Sequence, residues 1–207
     1  MAQFFSLHPD LPQPRLVKQA VEIIRNGGLV ALPTDSAYAL GGHIGDAAVL
    51  ERIRRIRGVG ERHHFTLMCR NLSEIGTYAR VDNVQFRLLK ATTPGSYTFL
   101  LEGTKELPRR LLHPKRKTIG LRVPDHPLVQ ALLAELDEPL LTSTLILSGE
   151  EFPLSDPQEI RRQLEKQLEL IIECGPCGCE MTTVVDLVAG APELIRAGRG
   201  PLAPLGL

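Results

Sequence analysis

Thr118-Ile119-Gly120-Leu121-Arg122-Val123-Pro124-Asp125-His126-Pro127 sets a short β-rich run, one arginine and a proline stop in a fixed order. Thr118 to Val123 reads as a buried strand, with Arg122 near its carboxyl end and a helix beginning over Asp125 to Pro127. In an α/β sheet that end of a strand is where ligands bind. An arginine there can clamp a carboxylate or a phosphate bidentately. Standing alone, the same residue reads equally well as an edge-strand arginine reaching for solvent.

Just upstream, Lys105, Arg109, Arg110, Lys115, Arg116, Lys117 and Arg122 face only Glu106 as counter-charge. A second basic stretch runs from Arg52 to Arg70, through Arg54, Arg55, Arg57 and Arg62, against Glu61. The chain of 207 residues has zero formal net charge, yet residues 1–122 carry +9 (19 Lys+Arg, 10 Asp+Glu) and residues 123–207 carry −9 (5 against 14). A basic half of this kind attracts phosphates, nucleotides or RNA; two solvated faces give the same count. With 6 Phe, 3 Tyr and no Trp, recognition of single strands by stacking is disfavoured. No apolar run approaches the roughly 20 residues that cross a bilayer. The start, MAQFFSLHPD, has neither a basic nor a sustained apolar segment, so a cytoplasmic protein without membrane contact is expected.

Flanking segments supply an α/β pattern. Gln13 to Asn26 reads as an amphipathic helix with Leu16, Val17, Ala20, Val21, Ile23 and Ile24 on its apolar face, closed by Gly27-Gly28. Leu29 to Leu32 is a strand stopped by Pro33. Asp46 caps a helix carrying Val49, Leu50, Ile53 and Ile56. Thr66 to Cys69 is a strand, and Asp82 caps a helix to Lys90. Tyr97 to Leu101 and Leu140 to Thr144 are strands, with a helix from Asp125 to Glu135 before the latter. Asp156-Pro157-Gln158-Glu159 starts a helix with a cap, a proline at the first position and a capping-box acid. Strands over Leu168–Ile172, Thr182–Leu187 and Glu193–Arg196 complete the pattern. The expectation is a single α/β domain over residues 1–207, with a twisted, mixed, open sheet and flanking helices.

Two further groups carry chemistry. Pro33-Thr34-Asp35-Ser36-Ala37-Tyr38-Ala39-Leu40-Gly41-Gly42 follows a strand with hydroxyls, an acid and two glycines that would let a ligand approach closely. Asp35 can instead close an Asx turn. The segment is neither a Walker loop nor a dinucleotide fingerprint. Thr182-Thr183-Val184-Val185-Asp186 and Leu194-Ile195-Arg196-Ala197-Gly198 put hydroxyls at a strand mouth beside an arginine, which suits a phosphate; sheet packing explains the β-branched residues as well. Cys174, Cys177 and Cys179 make at most half of a zinc site, with no nearby His and Cys69 distant, so reduced thiols and no metal are expected. No catalytic triad is evident: Cys69 lacks a His partner, and His63-His64 lie in a polar, arginine-rich loop.

Taken together, these blocks resemble the YrdC/YciO family of threonylcarbamoyl-AMP synthases. PTDSAYALGG is similar to the family's PTDTxYGLG, TPGSYTFLL to its xPGxxTxIL, TIGLRVPDHP to its xxGxRxPxHP, and TTVVDL…LIRAG to its STVVDx…xxRxG. The order of the blocks spans nearly the whole chain, and details such as RNGGLVALPTDS and FTLMCR are nearest to the YciO branch. The resemblance implies a positively charged concave groove. It also implies a nucleotidyltransferase of tRNA modification, making threonylcarbamoyl-AMP and pyrophosphate from L-threonine, bicarbonate and ATP, with Mg2+ carried on the ATP phosphates.

Carried over by motif, Thr34 and Tyr38 would line the threonine and nucleotide pocket, and Arg122 would hold an anion. Thr182 and Arg196 would hold the nucleotide phosphate, while Arg55, Arg57 and Ser143 would serve the reacting end. Two motifs depart from the family. Its Lys-x-Arg becomes either Arg55 and Arg57 or Arg57 and Val59, and its Ser-x-Asn becomes Ser143-Thr144-Leu145. These departures imply a retained ATP/AMP seat with weak or shifted synthesis, or action on a related carbamoyl-adenylate. A non-catalytic protein binding tRNA or double-stranded RNA through Arg109, Arg110, Lys115, Arg116 and Lys117 is the rival reading.

Overall fold

Ten strands make one sheet in the computed structural model, which describes residues 1–207. In chain order they are β1 (Gln3–Ser6), β2 (Val30–Leu32), β3 (Ala39–His43), β4 (Thr66–Met68), β5 (Tyr97–Glu102), β6 (Thr118–Arg122), β7 (Leu140–Thr144), β8 (Leu170–Glu173), β9 (Thr183–Asp186) and β10 (Glu193–Arg196). Six helices flank them: α1 (Pro14–Arg25), α2 (Ala47–Arg57), α3 (Leu72–Tyr78), α4 (Asn83–Thr92), α5 (Pro127–Leu136) and α6 (Pro157–Leu164). The spatial order is β1-β8-β2-β3-β7-β4-β6-β5-β9-β10. Parallel pairs (β1·β8, β8·β2, β4·β6, β5·β9) mix with antiparallel ones. This is the expected mixed open α/β sheet of a single domain.

Strand alternation builds two cores. On one face Leu29, Ala31, Leu40, Leu67, Leu121, Leu141 and Ile171 pack with Val49, Leu50, Ile53 and Ile56 of α2 and with Ile160 and Leu164 of α6. On the other, Val30, Leu32, Ala39, Met68, Leu140, Leu170 and Ile172 pack under α1 (Val17, Ala20, Val21, Ile24) and α5 (Leu128, Val129, Leu132, Leu133, Leu136). Apart from Met68 at the end of β4, this second core draws its buried strand residues from β8, β2, β3 and β7. Towards β4, β6, β5 and β9 the same face stays open, and the site lies there.

Helix starts follow the capping chemistry. Asp46 accepts from the amides of Ala48 and Val49 at 2.7 and 3.1 Å, and Asp82 forms a full capping box with Gln85. Asp156 caps α6 through the Gln158 amide at 2.9 Å, but Glu159 turns to Arg162 and Gln163 instead of closing the expected box. Three elements were absent from the sequence reading: β1, α3 and β3. The last corrects the role of Gly41 and Gly42. Neither gives a ligand room: a Cβ on Gly41 would meet Leu140 and Leu32 side-chain carbons at 2.9 Å, and one on Gly42 would overlap Val49 of α2. These glycines let the sheet and α2 close up.

Candidate functional site

The open part of the sheet forms a cavity of about 490 Å³. Its floor comes from alternate strand positions: Thr66 and Met68 of β4, Thr142 and Thr144 of β7, Thr98 and Leu100 of β5, and Val184 of β9, with Thr182 just ahead of it. The rim comes from Ser36 to Ala39, the Arg62–His64 loop, Arg57 at the end of α2, and Met181, Ile195 and Arg196. Three guanidiniums, those of Arg57, Arg62 and Arg196, thus surround one hollow with a hydroxyl-rich floor. Such an arrangement holds phosphate or carboxylate groups.

Arg122 does reach this cavity from the end of β6, and its side chain is 6% exposed. It is already engaged, forming an ion pair with the Asp35 carboxylate and donating to Ser36 Oγ at 3.2 Å. The other Asp35 oxygen accepts from Ser96 Oγ at 3.0 Å. Asp35 therefore closes no Asx turn; it is the counter-ion that makes a buried arginine tolerable. Burial pulls the guanidinium down from the ordinary arginine range, and Asp35 opposes that pull. Any anion held by Arg122 has to share it with Asp35.

Thr182 and Arg196 come together as expected. The Arg196 guanidinium donates to the Thr182 carbonyl at 3.0 Å and lies 3.4 Å from its hydroxyl, while that hydroxyl bonds Thr98 at 2.9 Å. Thr183 faces the other way, tying its hydroxyl to the Gly200 carbonyl at 2.6 Å. Arg57 lines the cavity with one weak contact, Nη1 to the Ile146 carbonyl at 3.4 Å, and its Nε is buried without a partner. Burial and the neighbouring Arg196 both lower its pKa from the usual value. Ser143 sits on the rim of the same cavity, buried, with its hydroxyl 3.3 Å from His63 Nε2.

Other expected residues lie elsewhere. Arg55 is exposed and does not border the cavity, so α2 contributes Arg57 alone; Gly58, with φ of 65°, ends the helix one residue later. Thr34 is buried behind the groove, where its hydroxyl accepts from Ala37 N at 3.3 Å and donates to the Ala37 carbonyl at 2.7 Å. Tyr38 borders the cavity, but its ring belongs to the core and its hydroxyl donates to the Ile172 carbonyl at 3.0 Å. Burial pushes that phenol well above the ordinary tyrosine range. Leu145, which stands where the family amide belongs, is wholly buried in the core.

The basic loop is not one free cationic face. Arg110 donates to the Gly45 carbonyl, Arg116 lies 2.5 Å from Asp186, and Lys117 donates to the Pro114 carbonyl at 2.8 Å. Arg109 and Lys115 have no such partner, and Lys115 shares a hollow with Arg62 and His63.

Sequence reasoning missed the two histidines. His63 and His64 both line the cavity. His64 Nε2 lies 3.1 Å from Thr118 Oγ1, and its ring stacks on His113 at 4.6 Å. Burial first, then Arg57, His64 and Arg54, lower the His63 pKa to about 4, so its imidazole is neutral at physiological pH. No group of three or more His, Cys, Asp or Glu side chains is placed to hold a metal ion. The four cysteines are free thiols: Cys174 and Cys69 are buried, Cys177 is half-buried and Cys179 exposed. No helix is long and apolar enough to cross a membrane.

Comparison with known proteins sets this site in context. The Sua5/YciO/YrdC family model, described as telomere recombination, matches residues 22–198. The Escherichia coli (strain K12) protein YciO, itself uncharacterized, is 58% identical over 204 residues, covering 99% of each chain. The crystal structure of E. coli YciO superposes with a TM-score of 0.96, at 57% identity and over 99% of this chain and 100% of that one. The human threonylcarbamoyl-AMP synthase is 33% identical over 190 residues, 88% of this chain and 67% of the human protein. P. abyssi Sua5 complexed with L-threonine shares the fold, with a TM-score of 0.89 at 23% identity over 98% of this chain and 59% of that one.

Proposed function

Because the chain belongs to the Sua5/YciO/YrdC family, we propose that its groove binds ATP or AMP and supports a weak or shifted form of threonylcarbamoyl-AMP synthesis. The observation that carries this reading is the meeting of Arg57, Arg62 and Arg196 around one hydroxyl-floored cavity of about 490 Å³, a volume in the range of small-molecule sites. The human synthase at 33% identity and the threonine complex of Sua5 support the choice of substrates.

In this reading Arg196 and Thr182 hold the nucleotide phosphate, and Arg57 with Arg62 neutralises the transferring end. The amine of L-threonine captures bicarbonate. A carbamate oxygen then attacks the α-phosphorus of ATP; the bond from that phosphorus to the bridging oxygen breaks, and pyrophosphate leaves with the bond electrons. The chain contributes alignment and positive charge, with no covalent nucleophile. Magnesium enters on the triphosphate as part of the substrate, consistent with a groove lined by no carboxylate, the neighbouring Asp35 being bonded to Arg122 and Ser96.

Reduced activity follows from two replacements: a guanidinium cannot mimic the compact ammonium of the family lysine, and Leu145 offers no amide to the substrate. A pocket kept for a related carbamoyl-adenylate fits the same features. RNA binding has less support, since Arg110, Arg116 and Lys117 are engaged within the protein. The Thr182→Ala/Arg196→Ala double variant tests the phosphate seat by calorimetric titration with AMP. Loss of at least about tenfold in affinity is expected, from charge-assisted bonds worth roughly 1.5–3 kcal/mol each. Unchanged affinity would remove the assignment.

A further inference from the structure

We propose that His63 is the proton carrier of the groove: it takes up a proton when an anion lies against Arg57, and that proton is the one the substrate amine loses. The second half rests on the synthase reading above; the first does not.

Position is the primary argument. His63 and Arg62 are the two residues that border both the main cavity and the shallow outer hollow formed with Gly60, Glu61, Pro114 and Lys115, and of the two only an imidazole exchanges a proton near neutral pH. Its Nε2 is fixed 3.3 Å from Ser143 Oγ, and its ring stands edge-on to Phe65 at 5.1 Å. Nδ1 has no hydrogen-bond partner and can exchange a proton. The imidazole is thus held in one orientation with a substrate side and a solvent side, as a proton carrier needs.

Charge supplies the control. Arg57 and Arg54 on α2, His64 on its own loop, and Arg62 and Lys115 around the outer hollow surround His63, with Glu61 the acid beside it. Arg196 of β10 stands next to Arg57. In the empty groove this cationic field, added to burial, keeps the ring unprotonated. A phosphate or pyrophosphate group placed against Arg57 cancels part of the field. The same ring then becomes a base of ordinary strength, and only when a substrate is present.

Carboxylation of an amine generates a proton to be carried: R–NH3+ + HCO3− → R–NH–COO− + H2O + H+. The nitrogen forms a bond to the carbonate carbon, one oxygen leaves as water, and the released proton binds Nδ1 of His63. Departure of the anionic products restores the field, and the ring returns its proton to solvent through the Lys115 side. A neutral ring among arginines is otherwise a poor choice for holding anions, which makes the position hard to account for as a simple phosphate ligand.

The test uses the whole protein with pyrophosphate and AMP as probes. The His63 ring is followed by NMR against pH, and binding is measured calorimetrically in buffers of different ionisation enthalpy. In the free protein His63 should titrate near pH 4, and saturating pyrophosphate should move that value up by at least about one unit, with net proton uptake at pH 6. His63→Gln, which keeps a donor for Ser143, should abolish the proton uptake that accompanies pyrophosphate binding. Where adenylate formation is measurable, kcat should fall by about 10²-fold or more with KM for ATP unchanged.

A free-protein titration near 6.5, or binding without movement of the His63 signal, overturns the proposal. So does a His63→Gln variant that still takes up the proton. If neither probe binds, the groove reading itself fails and takes this proposal with it. If the linked protonation appears but no threonine-dependent adenylate forms, the synthase reading falls and the proton carrier stands.

Discussion

Removing Asp35 should unfold this protein more readily than any ordinary surface change, and the structure fixes the scale. The Arg122 and Asp35 side chains are 6% and 8% exposed. In Asp35→Ala the guanidinium loses its counter-ion and keeps only Ser36 Oγ at 3.2 Å. Its Nε is already buried without a partner. Breaking a buried pair from one side costs about 3–5 kcal/mol. With a urea m-value near the top of the small-protein range, about 3 kcal/mol/M, the midpoint should drop by about 1–1.7 M.

Arg122→Met added to Asp35→Ala removes the stranded charge and should recover most of that loss. The exposed pair Arg80–Glu102, at 3.3 Å with side chains 73% and 48% exposed, serves as the control: Glu102→Ala should move the midpoint by no more than about 0.3 M. Far-UV circular dichroism follows the transition, since the chain has no tryptophan. Should Asp35→Ala unfold within about 0.3 M of wild type, or should the two substitutions prove additive, the claim that this pair is a coupled unit beneath the groove is wrong.

Three more outcomes are expected. Arg57→Ala should weaken AMP or ATP binding by at least about tenfold, whereas Arg55→Ala, on the outer side of α2, should leave it unchanged; equal effects in a titration would contradict the assignment of Arg57 alone to the cavity. Gly42→Ala should lower stability by about 1–3 kcal/mol in thermal unfolding, because the new methyl overlaps Val49 of α2; a neutral result would return these glycines to the loop role first expected of them. The folded-state pKa of His63 lies below its unfolded value, about 4 against 6.5. Its contribution to stability is therefore present above pH 6.5 and lost as pH falls towards 4. His63→Gln should flatten the stability profile in that window, and an unaltered profile would show the residue to be unperturbed.

Much of the fold was legible because local chemistry and tertiary need agree in it. The Asp46 and Asp82 caps, the glycine after α1 and the alternation through β5 and β7 are all local signals, and each element formed. The failures share a cause: β3 carries Gly41 and Gly42, whose low strand propensity reads as a loop, while the reason for them lies in Val49, Leu32 and Leu140, far away or on another layer. β1 is a four-residue edge strand paired only with β8, and α3 is two turns containing a glycine.

Arg122, Thr182 and Arg196 could be expected to share one cavity, as they do, because strand ends mark the ligand side of an α/β sheet. Arg55 was expected where only Arg57 reaches, since which arginine faces inward depends on the phase at which α2 meets Gly58. His63 escaped notice because its partner Ser143 is 80 residues away; they meet only because β4 and β7 are neighbours.

Pyrophosphate release in the presence of Mg–ATP, bicarbonate and L-threonine, with each omitted in turn and the adenylate resolved by chromatography, tests the central claim most directly. The account predicts slow release that requires all three, with threonylcarbamoyl-AMP as the product. Release that is indifferent to threonine and bicarbonate, or none at all from a protein that binds AMP, would contradict it.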